Sequence, residues 1–112
     1  MLNTLMLVGR LTRDVEVTTY ESGKEVARIT LAVSRSYKNV DGLYETDFID
    51  CVLWDGLAKN INEYCKKGDL VGIRGRIQTR DVEQEDKTHK KYVEVIAEKL
   101  TFLSSKKTEK TD

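Results

Sequence analysis

The amino-acid sequence predicts an all-β fold with one short helix, arranged as a small barrel around a single hydrophobic core. Most of the chain consists of short runs in which apolar and polar residues alternate, as in strands with one buried face. Only residues 57–65 have the apolar spacing of an amphipathic helix. The length of 112 residues allows one core. We therefore expect one domain over residues 1–103 and a disordered polar tail over 104–112.

The N-terminal part of the chain predicts three strands. Leu5–Val8 is apolar without interruption, which is typical of a strand buried on both faces, one of them against another subunit in so small a domain. A second strand surrounds Val17, and residues 21–23 are a hairpin signal. Residues 25–35 alternate as a long third strand.

The next strand, residues 46–54, has the sequence T-D-F-I-D-C-V-L-W and follows a predicted loop at 36–45. Its core face is apolar, whereas its other face carries the large aromatic residues Phe48 and Trp54. Exposed aromatic residues are costly unless another surface covers them. This strand therefore predicts a contact with another subunit or with nucleobases. The residues of the core face are Ile49, Cys51 and Leu53.

The C-terminal half predicts a helix capped by Asp55, a strand over 70–80, a charged loop over 81–91 and a last strand over 92–103 with Phe102 in the core. Strands in this number with one helix are typical of the OB-fold, a five-stranded Greek-key barrel. The predicted apolar face of the helix consists of Leu57, Ala58, Ile61, Tyr64 and Cys65.

The predicted strand before the charged loop places Arg74, Arg76 and Arg80 on one face, and no acidic residue lies between Asp69 and Asp81. By charge alone, a solvated strand face is an equally good interpretation. Together with the aromatic strand, however, the arginines match the combination of stacking platforms and phosphate contacts that binds single-stranded nucleic acid.

Tyr37 and Lys38 directly precede the aromatic strand and would extend the same surface. We expect Tyr37 to stack on a base, with a position over the rim of the barrel as the alternative. Tyr20 and Tyr92 fit an interface, the core or a binding surface equally well.

Several function classes find no support in the sequence. The 19 basic and 19 acidic residues cancel, so the overall charge does not indicate a nucleic-acid partner. His89 has no partner at metal or triad spacing, and no phosphate-cradling glycine motif is present, so we expect no enzyme, metal or cofactor. Cys51 and Cys65 fit free thiols in a reducing cytoplasm. Without a leader or a long apolar run, we expect a soluble protein without membrane contact.

Five segments follow one another in the order of a known family: M-L-N-T-L-M-L-V-G-R-L-T-R-D-V-E-V, S-G-K-E-V-A-R-I-T-L-A-V-S-R-S-Y, T-D-F-I-D-C-V-L-W, Y-C-K-K-G and G-R-I-Q-T-R. Over residues 1–103 the chain thus resembles the bacterial single-stranded DNA-binding proteins. The resemblance implies an OB-fold and a cytoplasmic, nucleoid-associated homotetramer that wraps DNA without regard to sequence. It implies a role in replication, recombination or repair, and no catalysis.

The resemblance also implies roles for individual residues. Base stacking would fall to Tyr37, Phe48 and Trp54. Residues on or near the DNA path would be Arg35, Lys38, Arg74, Arg76 and Arg80, with Arg10 and Arg13 in the first turn. Subunits would pair through Leu5, Met6, Leu7 and Val8.

The chain departs from the family pattern in four places. Asp50 and Asp55 lie where neutral or basic residues are usual, and Asp81-Val82 stands where an aromatic residue is common. We expect weaker or more salt-sensitive binding, unless Arg74 or Arg76 pairs with Asp50. The ending S-S-K-K-T-E-K-T-D lacks the acidic tip that recruits partner enzymes, so such recruitment is not predicted, whether the chain is cut or a short paralogue.

Two alternatives stay open. One is an OB-fold assembly protein of the primosomal type, with weak single-strand binding and mainly protein partners. The other is RNA binding, since stacking does not distinguish the two sugars.

Overall fold

The computed structural model describes residues 1–104 and contains six strands and one helix. The predicted tail begins at Ser104, which is the last residue of the final strand, and its other residues, 105–112, lie outside the described part of the chain. The elements are β1 (Leu5–Leu11), β2 (Val17–Thr19), β3 (Glu25–Lys38), β4 (Tyr44–Trp54), α1 (Gly56–Tyr64), β5 (Leu70–Glu83) and β6 (His89–Ser104).

Five of the strands form a closed barrel in the order β1-β5-β6-β4-β3, and β3 returns to β1 through the pairs Arg10↔Ala32 and Leu11↔Leu31. Strand directions cannot alternate all the way round a ring with an odd number of members. One pair must therefore be parallel, and it is β4–β6, joined at Cys51↔Val95 and Val52↔Ile96. The predicted OB-fold is confirmed, with this one parallel pair among antiparallel ones.

The core lies inside the ring, where every second residue of the strands points. Leu31, Leu53 and Ile73 are fully buried there, and Ile61 of α1 closes one end of the barrel. Alternation along the strands thus produces the buried face that the sequence predicts. Cys51 is buried in this core, and burial raises the pKa of its thiol to about 12.

Two hairpins extend further than the sequence analysis predicts. The predicted loop 36–45 is mostly strand and turns only at residues 39–43, where the Asn39 side chain accepts the amide hydrogens of Asp41 and Leu43. The predicted charged loop 81–91 is likewise strand at both ends. Its opposite charges face one another across the ladder, as in Asp81↔Lys91. Short-range charge patterns do not reveal such pairing in advance.

Three local predictions are wrong. Asp55 precedes α1, but its side chain does not cap the helix; Oδ1 instead accepts the Glu25 amide hydrogen at 3.0 Å. Tyr64 and Phe102 are not core residues, since they are 63% and 48% exposed. They lie where α1 and β6 end, and their rings pack edge to face at 5.6 Å.

β1 is not buried on both faces within one chain. Leu5 and Leu7 pack against the core, whereas Met6 and Val8 point outward and are exposed. Among residues 1–104, no helix is long and apolar enough to span a membrane.

The ladder between β5 and β6 is unusually close at Gly75. A Cβ atom on this residue would lie 2.2 Å from the carbonyl oxygen of Ile96, which is backbone and has no room to move aside. We expect Gly75→Ala to lower the free energy of unfolding by about 1–3 kcal/mol, measured by urea denaturation.

Gly56→Ala is the matched control, because a Cβ atom there meets nothing within 4 Å and the residue begins a helix. It should leave stability unchanged or raise it by up to about 1 kcal/mol. Equal effects of the two substitutions would show that the close contact at Gly75 is unimportant.

Candidate nucleic-acid interface

In β3 to β6, the side chains that point away from the core form a surface that we call the outward face. It consists of the even-numbered residues of these strands, as far as Ser34 in β3 and as far as Ile96 in β6. Strand register sets Arg28, Val52, Ile96 and Arg76 in one row across the four strands. The middle of this row is apolar and buried, as Val52 and Ile96 pack with Val26. The outward face therefore has a small hydrophobic centre with arginines on both sides.

Trp54 packs against this apolar centre and is half-buried. The Tyr20 ring, supplied by the hairpin after β2, lies 6.1 Å from the Trp54 ring at an angle of 32°. The indole is thus held by neighbours on one side and remains accessible on another, which suits a stacking platform. A groove of about 200 Å³ begins beside Tyr20, and its lining residues are Arg13, Glu16, Thr18, Tyr20, Val26 and Arg28.

Phe48 projects from β4 with 66% of its surface exposed. It borders a groove of about 280 Å³ between β4 and β6, beyond the short stretch where these strands pair. Asp50 and Glu94 also line this groove. Its apolar lining consists of Leu5, Leu7, Ile49, Ile77, Val93 and Val95.

Asp50 pairs with neither of the arginines that the sequence analysis considers. Its Oδ1 instead accepts a hydrogen bond from the Thr30 hydroxyl at 2.8 Å. Arg13 in turn donates to the Thr30 hydroxyl at 3.2 Å and to the Arg28 carbonyl at 3.3 Å. Thr30 therefore links the acid to a cation through a neutral group, and no basic side chain within residues 1–104 pairs directly with Asp50.

Glu94 is the carboxylate around which the cationic part of the outward face is arranged. It is only 8% exposed and accepts hydrogen bonds from Arg28 on β3 and Arg80 on β5, at 2.5 Å and 3.4 Å. A buried carboxylate requires such partners, because desolvation otherwise disfavours its charge. Two arginines share one acid, so this cluster carries a net positive charge.

Arg35 does not join this surface, because two carboxylates hold its guanidinium group. Arg35 forms a bidentate pair with Asp47, at 2.9 Å and 3.0 Å, and contacts Glu45 at 2.6 Å. The hydrogen bond with Asp47 raises the pKa of Arg35 and lowers that of Asp47. Tyr37 is 63% exposed and lies beside Arg35, in the part of β3 between Ser34 and Lys38 where the register with β4 shifts.

Lys38 is on the side of Phe48. It pairs in register with Tyr44, and its Nζ lies 5.7 Å from the centre of the Tyr44 ring. Because β4 alternates regularly, Tyr44 and Phe48 share one face of the strand. This gives the β3–β4 hairpin an exposed aromatic residue to which the sequence analysis assigns no role.

The remaining arginines of the predicted DNA path do not lie together in one cluster. Arg76 contacts Glu98 at 3.3 Å, and Arg10 donates to the Gly68 carbonyl at 2.9 Å. Arg74 has no hydrogen bond or ion pair within residues 1–104 and lies in register with Met6 of β1. Arg74 therefore lies beside the exposed side of β1, whereas register sets Arg10 in one row with Ala32 and Phe48.

The structure adds Tyr20, Tyr44, Arg28 and Glu94 to the residues that the sequence analysis selects. Their position depends on which strands are neighbours and in which register, and alternation within one segment contains no such information. In the described residues 1–104, no cluster of His, Cys, Asp and Glu is suited to bind a metal ion.

Comparison with known proteins agrees with this geometry. The chain is 46% identical over 110 residues to single-stranded DNA-binding protein B of Bacillus subtilis, covering 98% of the chain and 97% of that protein. It is 45% identical over 109 residues to single-stranded DNA-binding protein 1 of Staphylococcus aureus, covering 97% of the chain and 70% of that protein. Residues 2–103 match the single-strand binding protein family. With the barrel and its outward aromatic face, these similarities show that the chain belongs to this family of binding proteins.

Proposed function

We propose that the chain binds single-stranded DNA without regard to base sequence. The observation that carries this proposal is the presence of Phe48 and Trp54 on the outward face, which also presents Arg28 and Arg80 from neighbouring strands. Every base has a π-face, so stacking on aromatic side chains tolerates any sequence, while arginines contact the phosphates. The related proteins from Bacillus subtilis and Staphylococcus aureus are named for binding single-stranded DNA.

The cations of the outward face differ in how freely they can meet a phosphate. In the described part of the chain, Arg13 donates only to neutral acceptors, and Arg28 shares its acid with Arg80. Arg35 is bound by two carboxylates and would have to release them. We therefore place the main phosphate contacts on Arg13, Arg28 and Arg80. Secondary contacts remain for Lys38, Arg10, Arg74 and Arg76, and a stacking role for Tyr37 stays a prediction.

We further propose that the protein acts as a homotetramer in the cytoplasm, at the nucleoid, during replication, recombination or repair, and that it has no catalytic activity. Met6 and Val8 support a subunit contact through β1, because both are exposed apolar residues on one strand. Within residues 1–104, the segment Leu5–Gly9 of β1 pairs only with β5, and its other edge is open to another strand.

The single tryptophan reports on binding directly. We expect oligo-dT to quench the fluorescence of Trp54, and we expect quenching to weaken between about 50 and about 200 mM salt, because phosphate contacts release counterions. Absent quenching at low salt, with circular dichroism showing a folded protein, would contradict the proposal and favour a protein-binding role. Competition with an RNA oligonucleotide of matched sequence separates DNA from RNA binding.

Phe48→Ala tests stacking without disturbing the core. Phe48 is 66% exposed, and its replacement should weaken binding to oligo-dT by about 1–3 kcal/mol. Tyr64→Ala is the matched control, since Tyr64 is 63% exposed but lies at the end of α1 against Phe102. A similar loss of affinity in both variants would mean that Phe48 does not stack on a base.

Asp50→Asn tests the cost of an acid on the binding face. The amide can still accept the Thr30 hydrogen bond, so stability should change little, while removal of the charge should tighten binding by about 1 kcal/mol or less. The measurement is the same titration at low salt with a urea denaturation curve for each variant. Weaker binding would show that Asp50 positions Arg13 through Thr30.

A further inference from the structure

The chain turns sharply at Asp55, which joins Trp54 at the end of β4 to Gly56 at the start of α1. The backbone of Asp55 has φ 52° and ψ −115°, a conformation that glycine adopts freely and that is strained for residues with a Cβ atom. Among residues 1–104, Lys87 between β5 and β6 is the only other non-glycine residue with positive φ. Such a conformation persists where neighbouring contacts hold it, so the contacts of Asp55 indicate its role.

The first contact continues the ladder between β3 and β4. Val26 pairs with Trp54, so Glu25 is the next residue in register and faces Asp55. A hydrogen-bonded antiparallel pair exchanges two N–H···O bonds between its backbones. The Asp55 amide donates the first of these to the Glu25 carbonyl at 2.8 Å. The Asp55 carbonyl is not free for the second, because it points towards α1 and accepts the Lys59 amide hydrogen at 2.9 Å.

The side chain of Asp55 supplies the missing acceptor. Its Oδ1 accepts the Glu25 amide hydrogen at 3.0 Å, in place of the backbone carbonyl. Asp55 thus completes the last pair of the ladder and begins the helix at the same time. We call its two hydrogen bonds with Glu25 the Asp55–Glu25 clamp. Alanine in the same conformation would leave the Glu25 amide to solvent and the last ladder pair with one hydrogen bond.

The Asp55–Glu25 clamp lies at the base of the hairpin that carries Tyr20. This hairpin joins β2 to β3, and Glu25 is the first residue of β3 after the turn. The Tyr20 ring lies against the Trp54 ring, with 6.1 Å between their centres. The clamp therefore holds both members of the aromatic pair, since Trp54 directly precedes Asp55 and the hairpin of Tyr20 directly precedes Glu25.

We propose that Asp55 is a positioning residue, which ties the end of β4 to the β2–β3 hairpin through Glu25 and so orients the Trp54 indole for stacking before DNA binds. This inference rests on the proposed function and deepens it at one stacking platform. It assigns a role to an acid whose charge alone is unfavourable for phosphates. Charge and position thus act on affinity in opposite directions, and substitution can separate them.

Asp55→Asn and Asp55→Ala separate the charge from the acceptor. Both substitutions remove one negative charge beside Trp54, but only asparagine keeps an oxygen that can accept the Glu25 amide hydrogen. Asparagine also tolerates positive φ better than alanine does. If Asp55 acted only through its charge, both variants would bind oligo-dT more tightly by the same factor.

We expect Asp55→Asn to bind oligo-dT with unchanged or up to about 5-fold higher affinity. Asp55→Ala should bind about 3- to 10-fold more weakly than the unaltered protein, because the oriented form of Trp54 is less populated. The single tryptophan should report the same division in the free protein. Its fluorescence anisotropy and its near-ultraviolet circular dichroism should fall in Asp55→Ala and should be retained in Asp55→Asn.

Asp14→Ala is the matched control. Asp14 is also exposed, and its Oδ1 accepts the Lys67 amide hydrogen at 2.8 Å. The substitution therefore removes one acid and one side-chain hydrogen bond to a distant amide, as Asp55→Ala does. It should leave both signals of Trp54 unchanged, and it should not weaken binding to oligo-dT.

Asp55→Gly is a second variant that avoids the strain of alanine at positive φ. Glycine adopts this backbone conformation freely but offers no acceptor for the Glu25 amide hydrogen. We therefore expect Asp55→Gly to lower the anisotropy of Trp54 and to weaken binding, like Asp55→Ala, while the barrel remains folded by far-ultraviolet circular dichroism.

Equal gains of affinity in Asp55→Asn and Asp55→Ala, with unchanged signals of Trp54, would overturn the proposal and leave a charge effect alone. Binding by Asp55→Gly as tight as that of Asp55→Asn would also overturn it, because the hydrogen bond to Glu25 would then be dispensable. If the unaltered protein does not bind oligo-dT, the proposed function fails, whereas the anisotropy of the free variants still decides whether Asp55 orients Trp54.

Discussion

The closure of five strands into one ring is the constraint on which the surface of this protein depends. An odd ring requires one parallel pair, and β4–β6 fulfils that requirement with two pairs of residues before the strands separate. Their separation opens the groove beside Phe48 and places Asp50 and Glu94 in its lining. The same pairing brings Val52 and Ile96 together on the outside of the barrel, where they form the apolar base against which Trp54 packs. The aromatic face is thus a consequence of how the barrel closes.

Glu94 determines the electrostatics of the outward face, because it fixes the positions of two arginines. A buried carboxylate is unfavourable alone, but Arg28 and Arg80 reach it from strands on either side of β6. The ion pairs hold both guanidinium groups near the outward face before any ligand binds. Binding a phosphate therefore costs less side-chain entropy. Arg35 illustrates the opposite case. Asp47 and Glu45 accept three hydrogen bonds from its guanidinium group, so a phosphate would have to compete with both carboxylates. Although the whole chain has equal numbers of acidic and basic residues, an anion can therefore bind where the arginines outnumber their acidic partners.

Alternation along single segments was sufficient to predict the barrel, the helix and the exposure of Phe48, because each depends on the period of apolar residues. It was insufficient wherever the outcome depends on register. Tyr92 could not be assigned from its own segment, and only its pairing with Arg80 places it on the outward side. The loops predicted around Asn39 and Asp86 are longer than the observed turns, because cross-strand pairs extend the strands beyond their apolar parts. Tyr64 satisfies the helical spacing but lies at the end of α1, where packing no longer surrounds it.

Trp54 and Phe48 differ in what their substitution can reveal. Trp54 covers Val26, Val52 and Ile96, so its removal would expose apolar surface and combine a loss of packing with any loss of stacking. Phe48 covers little and can be shortened without opening the outward apolar cluster. The residue that best reports binding by fluorescence is therefore not the residue that best isolates stacking by mutation. The division follows from one structural fact: the outward face has its own small core, to which Trp54 belongs and Phe48 does not.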